Sequence, residues 1–307
     1  MGNHLKITFG YPKLLMLPVS VKIRAPAKIN LGLRVVGQRD DGYHLLDTIM
    51  VPVSLYDEIH IIAKSAREVR SSSSKLTVTC DNSALPTDEE NIVFRAANLI
   101  MKENSIRERV KIHIKKRIPI GAGLGGGSSD AAATLIAINS LFRLNYSVRR
   151  LKKRAYGLGA DVPFFIDRRP ARARGIGERL TPINTLPWNW AVIVYPRFPV
   201  ATNWVYRNFV AKLTKARANT SIISPLRKSS GQQRLLVNDL ESVTLARYPR
   251  IRFLKEKLIS AGAAGALMSG SGSAVFGLFD SRGNAARALS RMQKEDGVDT
   301  FLVRFLT

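Results

Sequence analysis

Cysteine, acidic residues and long hydrophobic runs are scarce in this 307-residue sequence. The single cysteine, Cys80, excludes an internal disulfide and favours a reducing compartment. Its position at the end of an alternating strand pattern indicates a packing role rather than a nucleophile. No run of about 18 uncharged apolar residues is present, so the sequence predicts no membrane-spanning segment. We therefore expect a cytoplasmic protein.

The shortage of acidic residues leaves a large positive charge. Lysine and arginine number 48 against 23 aspartate and glutamate residues, which gives a formal net charge of +25. Such a charge favours nucleic acid, an acidic membrane or phosphorylated small molecules as partners. However, the basic clusters HIKKR, RRLKKR and RRPARAR lack the interleaved aromatic residues of a single-strand binding surface. We interpret the charge as a solvated surface and expect neither nucleic acid nor a membrane as a partner.

Length and element order predict two domains of the α+β class. The predicted strands are residues 21–29, 31–36, 48–55, 58–63, 75–79, 110–115, 190–195, 274–279 and 300–305. Residues 31–36 either continue the first strand or form its partner. The predicted helices are residues 91–104, 129–144, 238–245, 248–261 and 283–295. These elements do not alternate as regular βαβ units, which favours α+β. We predict an N-terminal extension over 1–20 (or a short transit peptide), an N-terminal domain over 21–180 and a C-terminal domain over 181–307.

The most informative stretch is PIGAGLGGGSSDAAA at residues 119–133. A glycine-rich backbone can wrap an anion closely, and the helix that follows brings its positive N-terminal end to the same place. The stretch therefore predicts a cradle for a polyphosphate. A flexible linker is the alternative, but a linker lacks the strand predicted upstream and the apolar helix predicted downstream.

Two named phosphate motifs do not fit this loop. The Walker pattern GxxxxGK[ST] is absent because no lysine follows the glycines. Gly121, Gly123 and Gly126 satisfy GxGxxG, but the next helix is followed by another helical, basic stretch. A dinucleotide-binding fold needs a strand there that ends in an acidic residue, so we reject that interpretation.

Two further motifs accompany the glycine loop. APAKINLGL at residues 25–33 places Lys28 between a proline and an apolar strand, and MSGSGSAVFGLF at residues 268–279 is a second small-residue loop. Alone, the first is compatible with a surface lysine and the second with a tight turn. In this order and spacing, the three motifs resemble those of the GHMP small-molecule kinases, which include galactokinase, homoserine kinase and mevalonate kinase. The resemblance implies the two-domain GHMP kinase fold, with the active site in the cleft between the domains.

Three more strings narrow the resemblance: RDDGYHLLDTIMVPVSLYDEI at 39–59, GADVPFF at 159–165 and NDLE at 238–241. They are similar to family members of the non-mevalonate isoprenoid pathway whose acceptor is a cytidine compound. This implies transfer of the ATP γ-phosphoryl group to the 2-hydroxyl of 4-diphosphocytidyl-2-C-methyl-D-erythritol, with ATP and Mg²⁺ as cofactors. A GHMP kinase for homoserine, mevalonate or a sugar is the first alternative, and a basic RNA-binding protein is a distant one. We expect a monomer or a weak homodimer.

The resemblance also assigns the two loops. The ATP-binding residues are those of the glycine loop: Pro119, Ile120, Gly121, Ala122, Gly123, Leu124, Gly125, Gly126, Gly127, Ser128 and Ser129. The third-motif loop consists of Ser269, Gly270, Ser271 and Gly272. Magnesium would arrive with ATP rather than in a protein cage, with a hydroxyl from Ser128 or Ser129. A branched side chain at Gly125 is expected to fill the space that the phosphates need.

The candidate catalytic residues are Asp161 and Lys28. An alcohol is a poor nucleophile and needs a base, and Asp161 lies on a short loop between Gly159 and Pro163. From the residues alone, Asp161 is equally compatible with an N-cap of the next segment, whereas the resemblance favours the base. Lys28 beside it would keep the carboxylate ionised and steady the hydroxyl or the transferring phosphate.

The acceptor site requires an aromatic face and a reader of the base edge. Tyr43 and His44 supply these groups, although His44 is also compatible with a locally packed turn histidine. The resemblance adds Asn30, Thr202 and Tyr206 as acceptor-binding residues. After GADVPFF, the chain has Arg168 and Arg169 where the family has small residues, so the conformation of that segment is left open.

Overall fold

The structure of the protein, a computed structural model, describes residues 19–65, 74–209 and 236–307. The strands are β1 (Val19–Gln38), β2 (His44–Lys64), β3 (Leu76–Cys80), β4 (Arg109–Lys115), β5 (Ala171–Gly175), β6 (Arg179–Pro182), β7 (Trp190–Tyr195), β8 (Gly265–Met268), β9 (Val275–Phe279) and β10 (Asp299–Arg304). The helices are α1 (Ile92–Glu103), α2 (Gly126–Leu141), α3 (Val148–Tyr156), α4 (Val162–Asp167), α5 (Thr202–Asn208), α6 (Glu241–Arg247), α7 (Pro249–Ser260) and α8 (Arg282–Met292). Most of the predicted extension, residues 1–18, lies outside the described residues.

The strands form two sheets. In the first, the order is β3-β4-β2-β5-β6, and β1 pairs along the other edge of β2. The pairs are antiparallel except for β3 with β4, which are parallel. In the second sheet, the order is β10-β7-β9-β8 and every pair is antiparallel. Helices and strands are mixed without a regular βαβ repeat, which confirms the predicted α+β class.

A long hairpin of β1 and β2 dominates the first sheet. For the first half, the sequence analysis leaves open whether residues 31–36 continue the strand at 21–29, and the structure shows that they do. For the second half it predicts two strands, at 48–55 and 58–63, and the structure corrects this to one continuous strand. Register shifts after Pro26, Asn30 and Val35 accommodate the residues that interrupt the polar–apolar alternation. Such bulges bend a strand without ending it, so a break in periodicity was mistaken for a break in the strand.

Three hydrophobic clusters hold the elements together. The first lies between α1–α4 and one face of the first sheet. The second lies between the other face of the β1–β2 hairpin and the second sheet. The third lies between the second sheet and helices α6, α7 and α8, and it also receives Leu33 and Val35 from β1. The hairpin thus contributes to all three.

Several predicted boundaries change. Helix α2 begins at Gly126 rather than at residue 129, because the left-handed Gly125 (φ 70°) ends the loop and the small residues after it already turn helically. Helix α6 begins at Glu241, whereas the prediction began at residue 238. The third motif is preceded by a short strand, β8, where the sequence suggested loop from residue 266 onward. Elements β5, β6, α4 and α5 were missed because each has only four to seven residues, too few to show a period.

Candidate active site

The glycine loop follows β4 and leads directly into α2, as the sequence predicts. Gly121, Gly123 and Gly125 adopt positive φ angles of 65°, 75° and 70°. Residues with a side chain rarely adopt this left-handed conformation, so three glycines are needed to turn the loop. The loop ends at the N-terminus of α2, where the first N–H groups lack partners within the helix. This is the arrangement that favours an anion.

The third-motif loop fixes the glycine loop from the opposite side of the cleft. The carbonyl oxygen of Gly123 accepts a hydrogen bond from the Ser269 hydroxyl (2.9 Å), and that of Ala122 accepts one from the Ala274 amide (3.1 Å). A Cβ on Gly123 would lie 2.0 Å from the carbonyl oxygen of Ser269. The two loops can approach this closely only because residue 123 has no side chain.

The string NDLE supports the third-motif loop from behind. The Asn238 amide donates to the carbonyl oxygens of Met268 (2.9 Å) and Gly270 (2.8 Å). The Glu241 carboxylate accepts from the Met268 amide (2.9 Å). The sequence analysis noted this string but gave it no role, because its partners lie about 30 residues away in the chain.

Lys28 and Asp161 meet in the cleft. The Lys28 Nζ lies 3.6 Å from Asp161 Oδ2, and the lysine side chain is 6% exposed against 35% for the aspartate. Asp161 occupies the N-cap position of α4, but its side chain makes no capping hydrogen bond. The carboxylate is therefore free to face the cleft, which favours the base over the N-cap interpretation.

Asn30 orients Lys28. Its side-chain oxygen accepts from the Lys28 ammonium (2.5 Å), and its amide nitrogen donates to the Thr48 hydroxyl (2.8 Å). Thr48 in turn donates to the carbonyl oxygen of Gly32 (2.7 Å). Both polar ends of the Asn30 amide are thus engaged by the protein. Asn30 lines the cleft, but its immediate partner is the lysine.

Tyr43, His44 and Tyr206 gather at the other end of the cleft. The His44 and Tyr206 rings lie 5.2 Å apart with a tilt of 31°, and Phe209 packs edge-on against His44. The Tyr43 ring is 61% exposed at the mouth, where it is available for stacking. Burial lowers the pKa of His44, so its imidazole is neutral near pH 7. Burial, with a contribution from the charge of Asp161, raises the pKa of Tyr206.

Thr202 joins α5 to the third-motif loop. Its hydroxyl lies 2.9 Å from that of Ser271, and both residues line the cleft. The structure therefore brings all five predicted acceptor-binding residues to one cleft, although Asn30 and Thr202 are bonded to other protein groups. These assignments remain predictions of binding.

The cleft encloses about 1230 Å³. This exceeds the volume usual for one drug-sized ligand and leaves room for two substrates. The glycine loop and the pair of Lys28 and Asp161 lie among its walls. Leu85, Pro86 and Ile92 line it too, and the sequence analysis did not identify them.

A buried ion triad beneath the glycine loop was also missed. The Lys116 ammonium lies 2.5 Å from Asp57 Oδ2 and 2.8 Å from Asp130 Oδ2, and all three side chains are at most 4% exposed. The backbone amides of Arg117 and Ile118 donate to the other Asp57 oxygen. Lys116 had been counted within the surface cluster HIKKR, and Asp130 within the helix. Asp130 is an acidic residue within the alanine-rich first turn of α2, and this unusual position is the sequence feature that could have indicated a buried ion pair.

The two acids of the triad differ in their charge. Burial raises the pKa of Asp130 to about 8, with the charge of Asp57 adding and that of Lys116 opposing. Burial alone would lower the pKa of Lys116, but the charges of Asp130 and Asp57 outweigh it and raise the value. We therefore assign the shared proton of the triad to Asp130, the acid whose pKa is raised.

The side chains near the start of α2 suit a magnesium-bound polyphosphate. Ser129 Oγ and Asp130 Oδ1 are buried and have no hydrogen-bond partner among the described residues. Ser128 is half-buried and lines the cleft. Hydroxyl and carboxylate oxygens are the ligands that Mg²⁺ prefers. No cluster of three or more histidine, cysteine, aspartate or glutamate side chains suited to a metal is found in the part of the chain that the structure describes.

Two further expectations from the sequence concern Gly125 and Arg168. A Cβ on Gly125 would lie 2.9 Å from Phe165 Cζ and 3.0 Å from Lys28 Cγ. A side chain there would therefore collide with Phe165 and the lysine, and the positive φ of 70° disfavours any residue other than glycine. The loss of space for the phosphates stays a prediction. Arg168 ends α4 in the left-handed conformation (φ 54°), which favours glycine and explains the small residues of the family pattern.

Cys80 is partly buried against the first cluster, consistent with packing. Burial raises the pKa of its thiol, which opposes formation of a nucleophilic thiolate. Among the residues described, no helix combines the length and the apolar character needed to cross a bilayer.

Comparison with known proteins gives concordant results. The family model described as "GHMP kinases N terminal domain" matches residues 91–168, and that described as "GHMP kinases C terminal" matches residues 215–298. A protein of Citrifermentans bemidjiense named 4-diphosphocytidyl-2-C-methyl-D-erythritol kinase is 45% identical over 90% of this chain and 96% of its own length. A protein of Syntrophus aciditrophicus with the same name is 45% identical over 92% of this chain and 99% of its own.

Solved structures agree. A crystal structure of a 4-(cytidine 5'-diphospho)-2C-methyl-D-erythritol kinase has a TM-score of 0.75 and 35% identity, and the match covers 94% of this chain and 100% of that one. Homoserine kinase from Cytophaga hutchinsonii has a TM-score of 0.72 at 20% identity, covering 96% of this chain and 98% of its own. The second similarity concerns the fold alone.

Proposed function

The chain belongs to the GHMP kinases and, within them, to the 4-diphosphocytidyl-2-C-methyl-D-erythritol kinases, and from this premise we propose its reaction and the residues that perform it. The resemblance inferred from the three motifs is thereby confirmed at the level of the family. The proposed reaction is transfer of the ATP γ-phosphoryl group to the 2-hydroxyl of 4-diphosphocytidyl-2-C-methyl-D-erythritol, a step of the non-mevalonate isoprenoid pathway.

The observation that carries the mechanism is the pair of Lys28 and Asp161 in the cleft, between the glycine loop and the aromatic residues. Asp161 accepts the proton of the acceptor hydroxyl as the oxygen attacks the γ-phosphorus and the bond to the β-phosphate oxygen breaks. Lys28 lies 3.6 Å from the Asp161 carboxylate and offers positive charge to the phosphoryl oxygens. Asn30 and Thr48 hold the lysine in place.

The glycine loop and the first turn of α2 hold the triphosphate, and Ser128, Ser129 and Asp130 are the candidate ligands for its magnesium ion. Asp130 would join them as a carboxylate, with release of its proton. Bound Mg²⁺ would neutralise part of the phosphate charge. The unpartnered oxygens of Ser129 and Asp130 support this assignment. Phosphoryl transfer depends chiefly on the positioning of the reacting groups. Because the loop is already fixed by hydrogen bonds across the cleft, it can position the phosphates without a change of its own conformation.

Tyr43 stacks on the cytosine, and His44, Tyr206 and Thr202 complete the acceptor site in this proposal. The His44 and Tyr206 rings pack against each other, whereas the Tyr43 ring is exposed and therefore available to stack on the base. We also propose that the enzyme acts in the cytoplasm, since its charged substrates do not enter apolar membranes. A monomer or a weak homodimer is the oligomeric state that we propose for it.

An assay of ADP release tests the proposal. ATP is offered with 4-diphosphocytidyl-2-C-methyl-D-erythritol and, in parallel, with mevalonate, homoserine or galactose. We expect turnover with the cytidine compound alone, and phosphorus NMR of the product should show a new phosphomonoester at the 2-position. Efficient phosphorylation of one of the other alcohols, with none of the cytidine compound, would overturn the acceptor assignment while leaving the kinase chemistry intact.

A further inference from the structure

The active site does not account for the net charge of +25. Three of the described cations line the cleft: Lys28 and Lys116 are buried and ion-paired, and Arg207 is exposed. The excess charge must therefore lie on other surfaces, and its distribution can be followed along the strands of the first sheet.

One face of the first sheet changes character along β2. Toward the cleft, buried side chains such as Val51, Val53 and Leu55 pack against the second sheet. The chain that follows the last strand of the second sheet meets β2 at this point: Phe305 forms a β-bridge with Val53, and the Leu306 amide donates to the carbonyl oxygen of Pro52 (2.9 Å). The part of the face that the second sheet covers ends near these contacts. From Tyr56 onward the same face continues beyond the second sheet. None of the described elements packs over it.

This bare part carries cations in cross-strand rows. In one row, Lys22 is opposite His60, which is opposite His113. In the next, Arg24 is opposite Glu58, which is opposite Lys115. We call this surface the open basic face, and it comprises Lys22, Arg24, Glu58, His60, Ile62, Lys64, Thr77, Thr79, Lys111, His113 and Lys115.

The charge of this face is largely uncompensated. Lys22, Lys64, Lys111 and Lys115 are exposed, and none of them forms an ion pair with another described residue. Glu58 is the acidic side chain of the face, and its partner is Arg117 at 3.9 Å. Glu58 lies opposite both Arg24 and Lys115 and partly compensates that row, whereas Lys22 and Lys111 lie opposite uncharged or histidine side chains. The face therefore keeps a net positive charge that no ion pair among the described residues uses.

The sequence-based expectation of no nucleic-acid partner rests on the residues needed for single-strand binding and does not concern duplexes. We propose that the open basic face binds the phosphate backbone of duplex nucleic acid without reading its sequence. Lysine, arginine and threonine side chains are the donors that contact phosphate oxygens in such complexes. Tyr56 lies at the margin of this face, where the Arg24 guanidinium carbon is 5.6 Å from the centre of its ring. The imidazoles of His60 and His113 are small, and that of His113 is hydrogen-bonded to Thr79, so the face offers no series of open rings on which successive single-strand bases could stack. Ile62 is half-buried and gives a lipid bilayer little to insert.

The dimensions suit a duplex. Strand spacing and rise give the face about 15 Å across the strands and about 20 Å along them. A duplex carries one charge per about 1.7 Å of axis, so a segment of this length offers more phosphates than the face has cations. The face lies away from the catalytic cleft, and binding there leaves the cleft open.

The test measures binding of the full chain to 20-base-pair RNA and DNA duplexes of unrelated sequence as a function of salt. We expect a micromolar dissociation constant at physiological salt and a slope of about −4 in the logarithmic salt plot, since each phosphate contact contributes about −0.9. In the variant Lys22→Gln/Lys111→Gln/Lys115→Gln, the slope should become shallower by about 3, to about −1, and the affinity should fall roughly tenfold or more. Its kinase turnover should be unchanged, which shows that it is folded.

A matched control removes the same charge elsewhere. Arg149 and Lys153 lie exposed on α3, on the helical side of the same sheet, and Arg252 lies exposed on α7. The Arg149→Gln/Lys153→Gln/Arg252→Gln variant should bind duplex like the wild type. Equal losses in both variants would assign binding to net charge rather than to this face. Equal affinity of the wild type for single-stranded RNA or for anionic phospholipid vesicles would equally overturn the proposal.

Discussion

The two ends of the cleft are built from different parts of the polypeptide. The phosphate end is made of backbone: left-handed glycines, a helix N-terminus and hydrogen bonds that join the glycine loop to the third-motif loop. The acceptor end is made of side chains, with His44 packed on Tyr206 and Tyr43 exposed at the mouth. Lys28 and Asp161 lie where the two ends meet.

This difference explains how one fold serves several acceptors. A triphosphate is the same in every ATP molecule, so a rigid backbone cradle serves any acceptor that is brought to it. The acceptor differs between enzymes, and side chains can change without altering the backbone. Homoserine kinase from Cytophaga hutchinsonii keeps the fold at 20% identity, as expected if the backbone framework is the common part.

The largest effect is expected where the two ends meet. Asp161→Asn should lower kcat by roughly a hundredfold or more, the scale of general-base catalysis, while both substrates still bind. Steady-state kinetics with both substrates saturating provide the measurement. Asp167→Asn, at the other end of α4 where Asp167 pairs with Lys152, is the control and should leave kcat within about threefold. Near-normal turnover of Asp161→Asn would remove it from the base role.

Breaking the phosphate end should have the next largest effect. The methyl group of Gly123→Ala would collide with the Ser269 carbonyl, so the two loops must separate and the cradle loses its shape. We expect the Kd for ATP to rise about a hundredfold by calorimetry. The control is Gly283→Ala in α8, outside the cleft, where the new methyl would lie 4.0 Å from Arg287 Nη1 and this helical position should tolerate it. Equal ATP affinity in the two variants would show that the cross-cleft contact does not shape the site.

The acceptor end should respond more weakly and more selectively. Tyr43→Ala should raise KM for the cytidine acceptor tenfold to a hundredfold, since stacking contributes about 1–3 kcal/mol per base, and leave KM for ATP unchanged. Tyr156→Ala removes a similarly exposed tyrosine outside the cleft and should change neither constant. A rise in both KM values for Tyr43→Ala would indicate a distorted cleft rather than a lost stacking surface.

The smallest effect concerns the buried triad beneath the phosphate end. Asp130 has a pKa near 8 when folded, against an ordinary value of 3.8, so unfolding releases its proton between these pH values. Its contribution to the free energy of unfolding is therefore present below about pH 4 and declines as pH rises toward 8. Asp130→Asn should flatten this decline, with a melting temperature a few degrees above the wild type at pH 8.

Asp57→Asn provides the contrast within the triad. The Asp57 side chain pairs with buried Lys116 and accepts two backbone hydrogen bonds, so its replacement should destabilise the protein at both pH 5 and pH 8. If Asp130→Asn also destabilises the protein equally at both values, Asp130 is ionised in the fold and the assignment of the shared proton is wrong.

Sequence reasoning identified the backbone site more completely than the site built from distant side chains. The glycine loop, α1 and β4 follow from local composition and period, and their predictions hold. The triad does not follow, because Asp57, Lys116 and Asp130 come from three elements and each alone resembles a surface charge. The continuity of β1 and β2 was hidden by bulges, and α5 by its seven residues. The domain limits and the roles of the site residues remain predictions.

The β1–β2 hairpin bears on how the molecule melts. One stretch of it packs under α1 and α2, while Leu33 and Val35 near its turn pack with α6 and α7. Because one hairpin contributes to both clusters, unfolding it in one cluster would also expose apolar side chains of the other. Neither the N-terminal nor the C-terminal half of the molecule should therefore stay folded after the other has unfolded. Heating should therefore give one calorimetric peak, whose van't Hoff enthalpy equals the measured enthalpy, and the two halves should behave as a single cooperative unit.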